Sequence, residues 1–375
     1  MSTTISRRDM AKWLALGCAA PPLLSSCARP SRLSNSTGAD RRRLYPVRVS
    51  PERVIREVVG LRPFRPSGFV VKADALGDKT VIHNYGHGGG GMSLSWGTAH
   101  LATQLALATE HRDAAVLGCG AVGIATARLL QDRGFRATIY ARDLPPNTTS
   151  NIAGAQWSPV TVYDNDRRTP EFDAQFVAAS RFAHRYFQNL VDPPNGVTWR
   201  ENYILSPAGP LPPTRQRSLI GDLLKTVPIP AGEHPFGALN VSHFLTMHIE
   251  PAVYLPAMIR EFRLAGGHIV VREFADRTQL ASLAERLVIN CTGLGARDLF
   301  GDSELVPIKG QLVVLAPQPE VDYISIGPGD LYMMPRRDGI VLGGTHERGV
   351  WSLEPNPVET ERILRGHQEL FAQMR

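Results

Sequence analysis

The sequence predicts a mixed α/β chain built on a parallel, doubly wound (Rossmann-type) sheet. Three observations predict it. A short apolar run, Ala114-Ala115-Val116-Leu117, leads straight into Gly118-Cys119-Gly120-Ala121-Val122-Gly123, then a helical stretch from Ile124 to Arg133, then a second apolar run from Ala137 to Tyr140. With 375 residues, the chain can form two domains, or one domain with a large insertion. Its composition, 43% hydrophobic and 20% charged, is that of a globular protein.

Each part of the central unit has a physical reason. A four-residue apolar run bounded by glycine suits a strand buried on both faces. Gly118 permits the tight turn, Gly120 lets backbone approach a pyrophosphate, and Gly123 lets helix and strand pack closely. The helix start offers free N–H groups to phosphate oxygens. Gly134 ends the helix. At the end of the second strand, Asp143 or backbone groups beside Arg142 would meet the ribose hydroxyls. The glycine motif alone does not separate NAD from FAD.

The rest of the sequence bounds the function. Residues 1–48 carry nine basic and two acidic side chains, more than the whole formal charge of +6. The remainder is close to neutral and gives no reason to expect nucleic-acid binding. Ser6-Arg7-Arg8-Asp9-Met10-Ala11-Lys12 followed by an apolar stretch from Trp13 to Leu24 has the twin-arginine export pattern, and Leu24-Ser25-Ser26-Cys27 reads as a lipoprotein cleavage box with Cys27 acylated. The expected location is the periplasm or cell envelope, with a lipid anchor the one membrane attachment; a cytoplasmic protein with a short N-terminal helix is the alternative. Residues 28–48 read as a flexible linker. Four cysteines are too few for a disulfide scaffold; Cys119 and Cys291 read as small buried residues, and no His/Cys spacing predicts a metal site. Pro193-Pro194 and Pro210 to Pro213 read as surface loops, one of which could rim a pocket.

Several further blocks carry a family resemblance. They are Gly60-Leu61-Arg62-Pro63-Phe64-Arg65-Pro66; Val81-Ile82-His83-Asn84-Tyr85-Gly86-His87-Gly88-Gly89-Gly90-Gly91-Met92-Ser93, continuing to Trp96-Gly97-Thr98-Ala99; Thr148-Thr149-Ser150-Asn151-Ile152-Ala153-Gly154-Ala155-Gln156-Trp157; Asn290-Cys291-Thr292-Gly293; and Tyr323 and Tyr332 ahead of Gly343-Gly344-Thr345. Together they resemble the D-amino-acid oxidases over roughly residues 50–370. The resemblance implies FAD as cofactor. Its contacts would be Gly118, Gly120, Ala121, Val122 and Gly123, with Arg142 or Asp143 near the ribose. Thr149, Ser150, Ala153, Gly154 and Gln156 would form the flavin-ring loop, joined by Thr292 and Gly293 and by the glycine block from Gly88 to Gly91 with Met92 and Ser93. It implies that Arg62 and Tyr332 hold the substrate carboxylate and that Tyr323 lies over the pocket. His83 and His87 read as structural. The implied reaction is hydride transfer from the α-carbon of a D-amino acid to flavin N5, with oxygen as acceptor; peroxide, ammonia and a 2-oxo acid are the products. D-aspartate or glycine as substrate, a non-oxygen acceptor, and a non-catalytic flavin-binding role are the alternatives.

One departure is large. Members of that family begin with the glycine-motif strand and end with the Arg-Pro and His-Asn-Tyr-Gly blocks, whereas here those two blocks precede Gly118. The order implies a circular permutation joined through 110–113. Residues 50–70 should then lie beside residues 311–345. The implied architecture is discontinuous: an FAD-binding domain from 73–165, 270–300 and 336–347, and an interleaved substrate domain on a mixed β-sheet from 49–72, 166–269, 301–335 and 348–370.

Overall fold

The computed structural model describes residues 43–209 and 218–374. The expected export leader, Cys27 and the proline run at 210–213 lie outside the described residues. Leu44 onward forms one compact unit, containing two β-sheets.

The smaller sheet has the strand order β2 (Val70–Leu76), β3 (Lys79–Tyr85), β10 (Leu287–Asn290), β4 (Asp113–Leu117), β5 (Arg136–Ala141), β9 (His268–Val271). All neighbours are parallel except β2, which runs antiparallel to β3. Strand β4 is central, and Ala114 to Leu117 are at most 1% exposed, as an apolar run without alternation requires. Helices α1 (Gly91–Leu107), α2 (Ala121–Gln131), α4 (Pro170–Asn189) and α5 (Pro251–Leu264) share one hydrophobic core with this sheet. Helix α1 carries no charged side chain and buries eleven residues. Gly97 brings it against α4, because a Cβ there would collide with the Ala179 carbonyl. Helix α2 begins at Ala121, three residues before the sequence pattern places it, with Gly120 as N-cap. The opposite face packs Leu280, Leu283 and, from the short helix α6 (Ala296–Phe300), Leu299.

The larger sheet runs β1 (Val54–Phe64), β11 (Val306–Leu315), β14 (Gly339–Gly343), β13 (Tyr332–Arg336), β12 (Ile324–Ile326), β6 (Val197–Ser206), β8 (Asn240–Ile249), β7 (Val227–Ile229), with β15 (Glu347–Arg348) beside β11. Strands β12 and β6 are parallel and the other pairs antiparallel, so the sheet is mixed. Helix α7 (Pro357–Ala372) covers one face with Val313, Leu315, Met333, Ile340 and Leu342. The other face carries Val58, Leu312, Val314, Ile324, Tyr332, Met334 and Val341.

Residues 50–70 do lie beside 311–345. Strand β1 is antiparallel to β11 from Val54 to Phe64, with Gly60 opposite Gly310. Three boundaries differ from expectation. Residues 336–347 are not part of the nucleotide sheet: β14 bonds to β11 and β13, since its all-buried run Gly339–Gly343 needs a strand on each side. Within 166–269, α4 and α5 pack on the smaller sheet instead, because Phe176, Ala183, Phe187 and Phe262 complete its core. The last residues of the expected linker are not linker. Val47 is 4% exposed in the α7 core, and the Arg48 N–H donates to Gln318 Oε1 at 3.0 Å.

Candidate active site and cofactor cradle

The cradle is local. Gly118 leaves β4 at φ +106°, and a Cβ there would stand 2.5 Å from the Cys291 carbonyl oxygen. Only glycine takes that turn without strain. A Cβ on Gly123 would collide with the Gly118 carbonyl. The first intrahelical bond runs from the Ile124 N–H to the Gly120 carbonyl, so the N–H groups of Ala121, Val122 and Gly123 point out of the helix end. Ser150, on the short helix α3 (Thr149–Ile152), accepts from the Ala121 N–H at 3.0 Å. At Gly120 an added Cβ would meet only that Ser150 hydroxyl, at 3.1 Å. This glycine-lined, donor-rich helix end fits the pyrophosphate of FAD. Thr292 turns back on Asn290 Oδ1 at 2.7 Å. Asp143 accepts from Arg142, whose guanidinium also reaches Glu273. The buried thiols of Cys119 and Cys291 are pushed up to about 12 by desolvation and stay protonated.

The glycine block at 88–91 is read differently with the structure in hand. Gly88, Gly89 and Gly90 are glycines because residues 160–162 press on them: a Cβ on Gly88 would meet the Thr161 carbonyl, one on Gly89 the Val160 carbonyl at 2.8 Å, one on Gly90 the Val162 side chain at 2.7 Å. Gly91 alone keeps room, its nearest neighbour being the His87 Cβ at 3.7 Å. So the first three serve packing, and Gly91 leaves open space at the start of α1. Met92 is core. Ser93 donates to the Gln156 carbonyl and accepts from the Ser158 N–H, tying α1 to the 153–158 loop. His83 and His87 are structural, as expected. His83 bridges Asp74 and Asn290. His87 is fully buried on Thr98 and Phe69, and desolvation pushes it down to about 3.

The clamp is assembled from separate segments. Arg62 lies near the end of β1 and donates from Nη1 to the Thr345 carbonyl at 3.1 Å. It also hydrogen-bonds the Tyr332 hydroxyl. Gly310 makes room: a Cβ there would be 2.5 Å from the guanidinium nitrogens. Gly343 and Gly344 do the same for the Tyr332 ring. Burial holds the Tyr332 phenol above its ordinary range, with the neighbouring Arg62 cation pulling the other way, so at neutral pH it is a hydrogen-bond donor. The 149–157 loop lies over this face. A Cβ on Gly154 would be 2.5 Å from Met334 Sδ and 3.6 Å from the Tyr332 ring, and one on Gly60 would be 3.0 Å from Ile152. A Cβ on Gly293, at the smaller sheet's turn, would stand 3.8 Å from Pro63. The expected flavin loop, the Gly293 turn, Arg62 and Tyr332 therefore meet at the junction of the two sheets. Beside them a cleft of about 450 Å³ is lined by Asp330, Thr345, His346, Glu347, Glu359 and Arg362.

Tyr323 is not with them. Alternation places it on the opposite face of the larger sheet, against Tyr203 and Phe236. Its hydroxyl donates to the Tyr45 carbonyl at 2.9 Å. It is a core tyrosine that fastens the segment before β1, not a pocket residue. One residue on the clamp face carried no sequence signal. Asn202 is 0% exposed, and among the described residues neither its amide nitrogen nor its carbonyl oxygen has a hydrogen-bond partner.

A dinucleotide cradle on a parallel sheet, facing a buried arginine–tyrosine pair on a second sheet, fits a nucleotide-dependent oxidoreductase. A family model described as FAD dependent oxidoreductase matches residues 37–105 and 113–375. The chain belongs to this family of FAD-dependent oxidoreductases. A D-amino-acid oxidase of Rubrobacter xylanophilus is 32% identical over 268 residues, 70% of this chain and 78% of that protein. A D-amino acid oxidase of Dugesia ryukyuensis is 28% identical, covering 67% of this chain and 75% of its own. Human D-aspartate oxidase is 30% identical, with 67% and 73% covered. The crystal structure of a glycine oxidase from Bacillus cereus superposes with a TM-score of 0.50 at 15% identity, covering 68% of this chain and 77% of that one; the two share a fold.

Proposed function

We propose that this chain is a D-amino-acid oxidase. The carrying observation is the Arg62–Tyr332 pair held under Gly154 of the expected flavin loop. Arg62 presents a planar fork that matches a carboxylate bidentately, and the neutral Tyr332 hydroxyl adds a third donor. Gripping the carboxylate orients the α-carbon, and orientation supplies most of the rate. Bound FAD supplies the two-electron acceptor for the α-hydride. Ser150 and the N–H groups of Ala121, Val122 and Gly123 would hold its pyrophosphate, and the Arg142–Asp143 end of β5 its ribose. His346 lies beside Arg62, and burial together with that cation holds it below its ordinary range. It is neutral at pH 7 and does not compete with Arg62 for the carboxylate. Peroxide release from purified yellow protein, measured across a panel of D-amino acids, tests the activity. Turnover with an artificial acceptor but none in air would replace oxidase with dehydrogenase. Yellow protein inert to every D-amino acid under both conditions would leave only a flavin-binding role.

The permutation belongs to the same reading. It is supported by the β1–β11 pairing, by a family match split into two blocks at 105–113, and by linear alignments that stop at 67–70% of the chain. We further propose twin-arginine export and a lipid anchor at Cys27, from the residue pattern alone. Globomycin-sensitive labelling of Cys27 with palmitate checks it.

A further inference from the structure

Arg336 has no role in the reading so far, yet it joins the expected flavin loop to the clamp. Tyr332, Met334 and Arg336 alternate along β13 and so share its clamp face. All three meet residues 153 and 154. A Cβ on Gly154 would touch Met334 and approach the Tyr332 ring, and Arg336 Nη1 donates to the Ala153 carbonyl at 3.1 Å. The loop is pinned on either side of that contact. Ser150 takes the Ala121 N–H at 3.0 Å. Farther on, the Ile249 N–H donates to the Ala155 carbonyl at 2.9 Å and the Trp157 N–H to the Met247 carbonyl at 2.7 Å. Arg336 holds the stretch between these pins.

The guanidinium is itself fixed. Arg336 is 8% exposed, and its Nε and Nη2 donate to the two carboxylate oxygens of Asp338 at 2.7 and 2.6 Å. Asp338 also pairs with Arg56, which lies on β1, the strand that carries Arg62. A buried ion pair gives little net stability, because desolvation offsets the attraction. What this pair adds is geometry: the bidentate fork sets the guanidinium plane, and the plane aims the third arm at Ala153. We propose that Arg336 is a positioning residue that sets the flavin loop, and the ring it seats, at a fixed distance from Tyr332 and Arg62. That distance matters for hydride transfer. The reacting atoms must stand about 3–3.5 Å apart, and an error of about 1 Å costs about 10²-fold in rate.

This inference rests on the reading of 149–157 as the flavin loop and on the D-amino-acid activity above. The test uses the wild type, Arg336→Lys and Arg336→Met. Lysine keeps a charge for Asp338 but has a single head and no fixed plane; methionine removes the charge and leaves Asp338 with Arg56. Three quantities are measured: the FAD dissociation constant by fluorescence titration of the deflavinated protein, the flavin absorption spectrum, and kcat and KM separately. In both variants the dissociation constant is expected to rise about tenfold or more, the scale of one hydrogen bond from a charged donor, and the 450 nm band to shift. The value of kcat should fall about 10- to 100-fold while KM changes less than about threefold, since the Arg62–Tyr332 grip is untouched. Arg337→Lys, at the exposed next residue, is the control and should match the wild type in all three. An unaltered dissociation constant and spectrum in either folded variant overturn the inference, as does a loss confined to KM. Failure of both variants to fold also overturns it, by making the pair a folding element. A wild type that binds FAD but is inert to all D-amino acids refutes the underlying activity, and the dissociation constant and spectrum still judge Arg336.

Discussion

The cofactor cradle and the carboxylate clamp are built by opposite strategies. The cradle is six consecutive residues, Gly118 to Gly123, with Ser150 leaning on the helix end at 3.0 Å. Its glycines are dictated by collisions with their own immediate surroundings. The clamp draws on β1, β11, β13 and the turn after β14, which are scattered between residues 54 and 345. A contiguous site is fixed by local backbone sterics. A dispersed one is fixed by strand register, and a single wrong face moves a side chain out of it. The two tyrosines make the point. Tyr332 and Tyr323 are nine positions apart on neighbouring strands, yet one hydrogen-bonds Arg62 and the other bonds the Tyr45 carbonyl on the far face.

This contrast predicts all-or-none behaviour in the cradle and graded behaviour in the clamp. Gly123→Ala forces its Cβ into the Gly118 carbonyl, and neither backbone can yield. The variant is expected to purify without flavin, and a 450 nm absorbance equal to wild type would break the comparison at its root. Arg62→Ala should keep the flavin and lose about 10²- to 10³-fold in kcat/KM, the scale of breaking a buried charge pair. Full D-amino-acid turnover in that variant would dismiss the clamp. Tyr332→Phe removes one hydrogen bond to a charged group, worth about 1.5–3 kcal/mol; KM is expected to rise about 10- to 100-fold. Tyr323→Phe is its control on the other face. There kcat/KM should not change, while chemical denaturation shows a loss of about 1 kcal/mol. A matching loss of activity in the control would return Tyr323 to the pocket.

One further effect is shared by the two regions. His87, just before α1, and His248 on the clamp sheet are both fully buried, and desolvation holds each down to about 3, helped at His248 by the Arg200 and Arg336 cations. In the unfolded chain each titrates near 6.5. Above that pH both states are neutral and nothing is lost. Between about 6.5 and 3 the unfolded chain binds the extra protons, so stability falls as pH falls. Thermal melts at pH 7.5 and pH 5 should differ by about 1–2 kcal/mol per histidine. Equal stability at the two values would show that these rings are reached by solvent.

Legibility followed the same line. The strand–glycine–helix unit was readable because its determinants are neighbours in sequence, and only the helix start moved, from Ile124 to Ala121. Arg62 and Tyr332 were found through resemblance, and strand pairing brings them together. Residues 336–347 were expected with the nucleotide sheet and formed β14 of the other sheet, since an apolar run names no partner. Val47 and Arg48 read as linker because they close a stretch, 28–48, rich in Ser, Arg, Pro and Gly, yet Gln318 and the α7 core hold them. Gly88, Gly89 and Gly90 looked like a cofactor surface; residues 160–162, some seventy positions away, explain them.

By itself, the sequence determined the nucleotide half: which strand turns, where the helix offers its N–H groups, and why three glycines stand there. The turn at Gly118, the Gly123 contact with the Gly118 carbonyl and the free helix end are complete within a few residues, even though Cys291 and Ser150 also press on that turn. Only the tertiary structure decided which tyrosine faces the substrate, which glycines pack instead of bind, and that Asn202 sits partnerless at the end of the clamp face. Each of these depends on pairing between distant strands, where every successive residue changes sides.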